Sequence, residues 1–459
     1  MILSKSKRYA RNLLVSSSIS LIGRLGHKGL KGALNLLKGL MPNDRVKRGL
    51  EAMKEYVDRG HPFVDWLLSF NNFDPKVRDK IYTNLFANGF IGVKSQREYR
   101  DSLNVGLLTM VISVTQRCNL KCTGCWASVY EKEKDLDYDV LCKIIEESNE
   151  MSTYYFSITG GEPFVRKDLF DLFEKYNDSY FQVYTNGTMI TEKVADRLLK
   201  AGNVLTLLSI DGYTKEINDK RRGEGVHEKL IKAMDILRER KLFFGVSITV
   251  TSQNVEEIMN VEFWDFLLSK GIKIGWIFQY MPVGSNPDIS LMISAEQRDA
   301  LRRFVYKIRN SRPIFVGDFW NDGYMVEGCM AGGNTYIHIN NKGDVEPCVF
   351  CHFSTDNIYE KSLKDCVTSP FFNAIRGEIP YDGNILSPCM LIDRPEVFRK
   401  HFADFNPKPT HEGAESLVTN LASELDEKSR QLKKVNEPAW LDEDYIDFYT
   451  FDPRYFKAM

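Results

Sequence analysis

The clearest pattern of hydrophobic and polar positions lies between residues 107 and 315, where short apolar runs alternate with amphipathic stretches. Runs rich in β-branched and aromatic residues predict strands at 107–115, 154–160, 180–186, 204–210, 243–251 and 272–280. Apolar residues at helical spacing predict helices at 138–150, 168–176, 191–201, 226–241, 255–270 and 294–310. This alternation predicts an α/β domain with a parallel sheet and helical crossovers. The order of elements fits an open doubly wound sheet as well as a curved partial barrel.

Residues 1–43 follow a different pattern, because they contain no Asp or Glu and intersperse lysines and arginines with apolar residues. Leu30, Leu34 and Leu37 recur at helical spacing, which predicts a basic amphipathic helical segment. No apolar run reaches the roughly 18 residues of a spanning helix, so we predict a segment lying on a membrane surface. An ordinary packed helix and an organellar transit peptide are the alternatives.

The remaining segments complete a predicted division into five parts. Residues 44–106 have the mixed-charge helical pattern of a cap preceding the α/β domain of residues 107–315. Residues 316–400 lose the strand and helix alternation and gather cysteines. Residues 401–459 form an acidic, aromatic tail, which we expect to dock on the protein, with solvated disorder as the alternative for 410–436.

Composition narrows the possible functions. The chain has 459 residues, of which 43% are hydrophobic and 27% charged, as in soluble globular proteins with more than one domain. A net charge of −1 argues against a nucleic-acid partner. Nine cysteines without a secretory signal indicate a reducing, metal-using environment rather than a disulfide framework. We therefore predict a cytoplasmic protein, peripheral at the inner face of the cell membrane.

Three cysteines follow the first predicted strand. Cys118, Cys122 and Cys125 are separated by three and then two residues, on a loop from which their thiolates can turn toward one iron–sulfur cluster. A cluster held by three cysteines keeps one iron open. A zinc site or buried free cysteines are the alternatives, but zinc usually takes four ligands and no second cysteine pair lies nearby.

Gly160-Gly161-Glu162-Pro163 follows the second predicted strand. With the cysteine triad before it, the chain resembles the radical S-adenosylmethionine (SAM) enzymes. The resemblance implies a six-stranded partial (β/α) barrel, a [4Fe-4S] cluster whose open iron chelates SAM, and reductive cleavage of SAM to a 5′-deoxyadenosyl radical. Many members carry an aromatic residue just before the third cysteine, whereas this chain has Gly124 there and Trp126 just after the cysteine.

Further cofactor-binding residues are expected at the carboxyl ends of later strands, where ligands bind in parallel β/α folds. Gly160 and Gly161 allow close backbone approach, while Glu162 can offer a carboxylate to an ammonium group. Asn186 follows the third strand, and Ser209 and Asp211 follow the fourth. Resemblance to the family adds Arg222 as a candidate for the SAM carboxylate. Each of these polar residues has a plain alternative as part of a turn or a solvated loop.

Five more cysteines lie beyond residue 316. Residues 328–348 read as a hairpin with its turn at 341–344 and a cysteine at each outer end. This segment resembles the SPASM and twitch extensions of radical SAM enzymes, which implies an auxiliary iron–sulfur cluster. The predicted ligands are Cys329, Cys348, Cys351 and Cys389. Cys142 and Cys366 are expected to be packed, and His338 and His352 to be satisfied core residues rather than ligands.

Two substrate hypotheses follow. The basic amino-terminal segment favours a membrane lipid, and the arrangement resembles radical SAM enzymes that join lipid tails by carbon–carbon bonds. A peptide or protein, crosslinked as by many SPASM enzymes, is the alternative, although no winged-helix recognition domain is evident before residue 107. An electron donor such as ferredoxin or flavodoxin is expected. A pure electron carrier would leave Gly160–Pro163 without a role.

Overall fold

The computed structural model describes residues 26–32, 34–35, 44–90, 102–128, 135–284, 287–326, 328–381 and 384–442. Its strands are β1 Thr109–Thr115, β2 Tyr155–Gly160, β3 Tyr180–Thr185, β4 Val204–Ser209, β5 Phe244–Val250, β6 Ile274–Gln279, β7 Phe315–Asp318, β8 Tyr336–Ile339, β9 Asp344–Glu346, β10 Phe353–Ser354, β11 Asp356–Asn357 and β12 Lys408–Pro409.

Helices flank these strands. They are α1 Asp44–Arg59, α2 Pro62–Leu68, α3 Pro75–Lys80, α4 Tyr138–Glu150, α5 Leu169–Lys175, α6 Glu192–Ala201, α7 Lys215–Arg222, α8 Val226–Glu239, α9 Val255–Ile258, α10 Val261–Ser269, α11 Ala295–Ser311, α12 Leu363–Val367, α13 Pro370–Gly377, α14 Pro395–Phe405 and α15 Ala422–Leu441. A π-helical segment, Ile81–Phe90, continues α3.

The strands form a ten-stranded sheet in the order β11-β9-β8-β1-β2-β3-β4-β5-β6-β7. Strands β1 to β7 are parallel, and β8 joins β1 in parallel on its other side. The predicted α/β fold is confirmed. Two details differ from the prediction: β7 adds a seventh strand in sequence, and the predicted hairpin, here β8 and β9, extends the same sheet.

The two faces of the sheet carry different side chains, because successive residues of a strand point to opposite sides. One face is apolar, and its residues Met110, Ile112, Phe156, Ile158, Phe181 and Val183 are fully buried. The register places Tyr155 beside Tyr180, Ser157 beside Gln182 and Ser247 beside Trp276 on the opposite face. That mixed face is the interior of the curved sheet. Its polar side chains would lack hydrogen-bond partners if helices covered this face.

The helices of residues 44–90 cover the amino ends of the strands. The Trp66 Nε1 donates to the Lys273 carbonyl, 2.6 Å away, just before β6. The Asp74 amide donates to the Lys241 carbonyl near the start of β5, at 2.9 Å. Asn84 donates to the Ser179 carbonyl before β3, at 3.0 Å. The end opposite the carboxyl edge is therefore closed by these helices.

Two helices depart from the predicted pattern. Helix α7 is absent from the predicted helices, because its sequence is mostly charged and only Asn218 and Arg222 are buried. Helix α15 occupies much of the segment for which disorder was the alternative, so that alternative is wrong for residues 422–436. Its Leu425, Ser429 and Leu432 are buried at helical spacing. Residues 443–459, the aromatic part of the tail, lie outside the described residues.

Only part of the basic amino-terminal segment can be compared with its prediction. Leu34 is buried in a cluster with Val57 and Val64. Lys31 pairs with Asp58, and His27 lies 2.9 Å from Asp65. Residues 26–32 and 34–35 therefore pack on α1 and α2, while residues 1–25, 33 and 36–43 lie outside the described residues. Among the helices that are described, none combines the length and apolar character needed to cross a bilayer.

Candidate cluster and cofactor site

The three cysteines predicted to hold the first cluster lie on the loop after β1, at the carboxyl edge of the sheet. The Thr123 amide donates to the Arg221 carbonyl at 2.9 Å, and the Cys122 Sγ lies 4.0 Å from the Arg222 carbonyl oxygen. Asn186 places its Nδ2 3.8 Å from the Cys118 Sγ. The ends of α7 and β3 therefore hold this loop from two sides.

Gly160 and Gly161 let the end of β2 lie directly against the chain that leads from β1 to the cysteines. The Gly161 amide donates to the Thr115 carbonyl at 2.7 Å, and the Glu162 amide to the Arg117 carbonyl at 2.9 Å. A Cβ on Gly160 would lie 2.0 Å from the Thr115 carbonyl oxygen, and Gly160 has a φ of +130°. Any side chain here would separate the two strand ends, so the pattern read from sequence has a steric cause.

The Glu162 carboxylate is fully buried and joins the ends of β2 and β3. It accepts hydrogen bonds from the Thr185 hydroxyl at 2.7 Å, the Asn186 amide at 2.7 Å and the Phe164 amide at 3.1 Å. Burial raises the pKa of this carboxyl, while the three donors act in the opposite direction. The side chain thus fixes the rim of the site, and the buried Pro163 begins a short 3-10 turn beside it.

Asn186 belongs to a polar chain that sequence reasoning found only in part. Its Nδ2 donates to the Asn119 Oδ1 at 2.8 Å, and the Asn119 Nδ2 donates to the Thr188 hydroxyl at 2.8 Å. Asn119 lies between the first two cysteines of the loop. The loop after β3 therefore positions Cys118 through side-chain amides, a contact that spacing along the sequence does not reveal.

Asp211 is engaged by two guanidinium groups. Its carboxylate is fully buried, pairs with Arg221, and lies 2.7 Å from the Arg222 Nε. Its other oxygen accepts from the Thr249 amide at 2.8 Å. These cations hold the pKa of Asp211 below its usual value despite the opposing effect of burial. Asp211 and Arg222 thus contact each other, while Ser209 lies half-buried at the end of β4.

An aromatic ring fills the space above Gly124. A Cβ on Gly124, whose φ is +66°, would lie 2.6 Å from the Tyr280 ring. One on Gly284 would lie 2.7 Å from the Cys125 carbonyl oxygen. The segment after β6 therefore packs directly on the cysteine loop. Gly124 thus leaves room for the ring of Tyr280, which comes from a distant part of the chain.

We expect Gly124→Ala to destabilise the loop by about 2–4 kcal/mol, because it combines an unfavourable φ with a clash against Tyr280. Iron bound after anaerobic reconstitution should fall. Adding Tyr280→Leu to Gly124→Ala should restore part of the iron, since the smaller side chain removes the clash but not the strain. Equal iron in Gly124→Ala and the unchanged chain would contradict this packing.

The second group of cysteines lies around the β8–β9 hairpin. The Cys348 and Cys351 backbones form an antiparallel bridge, and the Tyr336 hydroxyl lies 2.8 Å from the Cys348 Sγ. Burial raises the pKa of all four predicted ligand thiols, and neighbouring thiols of the same group raise three of them further. The four thiols predicted as ligands are therefore neighbours. Cys142 and Cys366 are buried elsewhere, as expected.

His338 is a satisfied interior residue, as predicted. Its Nδ1 lies 2.5 Å from the Glu346 carboxylate and its Nε2 lies 2.7 Å from the Ser113 hydroxyl, with all three residues fully buried. The second Glu346 oxygen accepts from the Thr410 hydroxyl at 2.6 Å. The Trp126 ring lies 5.9 Å from the His338 ring and 6.2 Å from the Phe350 ring. Trp126 thus stands between the two cysteine groups.

Both cysteine groups fit iron–sulfur clusters in their donor chemistry. Thiolates are the usual ligands of such clusters, and each group brings three or four thiols to one place in the fold. In the described part of the chain, no three His, Cys, Asp or Glu side chains converge closely enough for a single metal ion. Cys118, Cys122 and Cys125 would hold one cluster, and Cys329, Cys348, Cys351 and Cys389 a second.

The interior of the curved sheet is aromatic on the side of β6 to β8. Tyr184 and Phe278 have ring centroids 5.9 Å apart, and Phe278 and Phe319 lie 5.2 Å apart. Phe319, after β7, also lies 6.3 Å from Tyr336 at the start of β8. This contact connects β7 and β8, which are the two ends of the run of parallel strands. Tyr184, Trp276, Phe278 and Phe319 are only partly buried, so ring surface stays accessible inside the sheet.

Comparison with known families identifies two domains. Residues 112–264 match the Radical SAM superfamily, and residues 329–391 match SPASM, an iron–sulfur cluster-binding domain. The first match contains the cysteine triad and Gly160–Pro163. The second begins at Cys329 and includes the other three predicted auxiliary ligands.

Related curated proteins carry out different reactions. Mycofactocin maturase MftC of Mycolicibacterium smegmatis is 30% identical over 251 residues, which are 52% of this chain and 63% of that protein. AdoMet-dependent heme synthase of Oleidesulfovibrio alaskensis is 24% identical over 302 residues, which are 59% of this chain and 77% of that protein. The chain thus spans less than two thirds of the maturase.

Solved structures share the fold. Streptococcus suis SuiB bound to S-adenosylmethionine has a TM-score of 0.54 and 21% identity, covering 62% of this chain and 72% of that one. Native anSMEcpe with bound AdoMet and Cp18Cys peptide has a TM-score of 0.51 and 17% identity, covering 70% and 99%. The fold predicted from the resemblance is therefore confirmed.

Proposed function

We propose that this chain, which carries a radical SAM domain and a SPASM iron–sulfur domain, cleaves SAM and removes a hydrogen atom from an unactivated carbon of a larger substrate. The observation that carries the proposal is the packing of Gly160 and Gly161 against the chain leading into Cys118, Cys122 and Cys125. This packing places the backbone of Gly160 and Gly161 and the three thiols at the same edge of the sheet. When SAM is bound, a cluster with an open iron held by these thiols would supply the 5′-deoxyadenosyl radical.

The chain's own residues bind and orient SAM in this proposal. Gly161 and Glu162 present the rim on which the SAM amino group would lie, and the buried Glu162 carboxylate fixes the position of that rim. Ser209 offers a hydroxyl on the interior face of β4. Arg222 has its Nε beside Asp211, and its guanidinium is the candidate for the SAM carboxylate. The closed amino end of the sheet and its aromatic interior would exclude water from a carbon radical.

A peptide or protein is the substrate class that the relatives favour. One relative is named a maturase, and a structure of SuiB contains the precursor peptide SuiA, at a TM-score of 0.52 and 20% identity. We propose by analogy that this chain modifies a side chain of a peptide presented at the carboxyl edge of the sheet. Ferredoxin or flavodoxin would supply the electron.

A lipid acyl chain is the second candidate. It is supported by the accessible aromatic surface of Trp276, Phe278 and Phe319, which an aliphatic chain would cover, and by the basic sequence of residues 1–43. In this case the enzyme would couple inert chain carbons of membrane lipids at the membrane surface. The auxiliary cluster would accept an electron in either case.

One experiment separates the two substrates. Protein reconstituted without oxygen should release 5′-deoxyadenosine when it is mixed with SAM, dithionite and a total peptide extract of the source cells. A peptide lighter by two hydrogens supports maturation. If the peptide extract is inert while a total lipid extract yields coupled acyl chains with loss of two hydrogens, the substrate is a lipid and not a peptide. Deletion of residues 2–25 should then lower turnover on vesicles but not on dispersed lipid.

A further inference from the structure

Helix α7 brings two cations to the cysteine loop. The carbonyl groups of Arg221 and Arg222 contact Thr123 and Cys122, and their side chains share Asp211. The Arg221 side chain is 14% exposed and that of Arg222 is 8% exposed. Two guanidinium groups and one carboxylate leave one uncompensated positive charge beside the loop, in a place largely shielded from solvent.

The position of this charge is fixed by the fold. The Asp211 amide donates to the Asn218 side chain on α7, at 3.0 Å. A Cβ on Gly212 would lie 2.8 Å from the Asn218 nitrogen, so the turn after β4 lies flush against the helix. Asp211 therefore contacts the middle and the end of the same short helix, and Arg221 cannot leave the loop without breaking a buried pair.

Arg221 also has an unused donor. Its buried Nε–H has no hydrogen-bond partner among the described residues. A buried donor without a partner therefore lies at the end of α7 that contacts Thr123 and Cys122 of the cysteine loop.

We propose that Arg221, held in place by Asp211, is a positioning residue that raises the reduction potential of the cluster at Cys118, Cys122 and Cys125. The inference rests on the proposed function, because it requires that cluster. Reduction adds one negative charge to the cluster, so a nearby shielded cation stabilises the reduced form. The Asp211 carboxylate partly offsets the positive charge of Arg221, and an isosteric asparagine would keep an oxygen for the buried guanidinium while removing that negative charge.

The test measures potential rather than turnover. Arg221→Met and Asp211→Asn are reconstituted without oxygen, and their iron content is compared with that of the unchanged chain. Each is then titrated with dithionite, and the reduced cluster is followed by electron paramagnetic resonance. The signal that changes when SAM is added belongs to the cluster with the open iron. Arg240→Met is the matched control, because Arg240 pairs at 2.7 Å with the exposed carboxylate of Asp196, away from the loop.

In Arg221→Met, the ratio of reduced to oxidised cluster at a fixed potential should fall about tenfold, which is a shift of about 59 mV for one electron. Asp211→Asn should shift the potential in the opposite direction, and Arg240→Met should not shift it. If neither Arg221→Met nor Asp211→Asn shifts the reduction potential at full iron content, the proposal is wrong. If Arg221→Met binds less iron, the direction of the Asp211→Asn shift decides. A missing SAM-sensitive signal in the unchanged chain would instead reject the proposed function.

Discussion

Replacing Cys122 by alanine is expected to remove about half of the iron that the chain binds and to abolish SAM cleavage. The loop would keep two thiols, which cannot retain a cubane cluster, while the four thiols around the β8–β9 hairpin would keep theirs. Iron and sulfide analysis after anaerobic reconstitution measures the first effect. Release of 5′-deoxyadenosine under dithionite measures the second, and it should fall to the level of the protein-free control.

Cys142→Ala provides the matched control. Cys142 is 7% exposed on α4, its Sγ lies 3.2 Å from the Lys175 Nζ, and it belongs to neither cysteine group. Its loss should leave iron and SAM cleavage unchanged. If Cys122→Ala and Cys142→Ala behaved alike, the cluster would not be held by the loop after β1, and the proposed reaction would lose its basis.

The strands of the parallel sheet could be predicted because one face is uniformly apolar. Strands β1 to β6 begin and end within two residues of the predicted bounds. Strand β7 was missed because it is short and contains Gly317 and Asp318, both unusual in strands. The apolar pattern predicts α9 and α10 as one helix, whereas Met259 ends the first and Asn260 caps the second. Local polar signals thus set boundaries that apolar periodicity does not reveal.

The site could be predicted where its chemistry depends on close spacing along the chain. The cysteine triad and Gly160–Pro163 each act within a few residues. The contacts of Tyr280 with Gly124, and of Ser113 with His338, join residues that are far apart in sequence. The spacing of residues along the sequence does not indicate such contacts. For the same reason, Asp211 and Arg222 were both selected from sequence, but their contact with each other was not.

The site therefore combines a predictable set of ligands with a scaffold that only the fold reveals. Asn186, Arg221 and Tyr280 reach the cysteine loop from β3, α7 and the end of β6. Each comes from a different crossover of the parallel sheet, so the loop is held only when the strand order is complete. Cluster binding should consequently report on folding of the whole sheet, not of the loop alone.

Gly160→Ala is expected to lower the free energy of unfolding by about 2–6 kcal/mol, as the sum of backbone strain and overpacking. The new Cβ would meet the Thr115 carbonyl oxygen at 2.0 Å, and that oxygen accepts the hydrogen bond from the Gly161 amide. Neither partner can move away, because both belong to adjacent parallel strands. The change should appear as a lower urea midpoint of the iron-free protein and as reduced iron binding.

Gly377→Ala tests whether the loss of stability expected for Gly160→Ala comes from the position of that glycine or simply from adding a methyl group. Gly377 ends helix α13, has no positive φ, and a Cβ there would have no neighbour within 4 Å. Alanine should leave stability within about 0.5 kcal/mol or raise it slightly, since it favours the helix. If both variants unfolded at the same urea concentration, the ends of β1 and β2 would not need to touch. The close approach that places the cysteine loop beside Gly161 would then be without support.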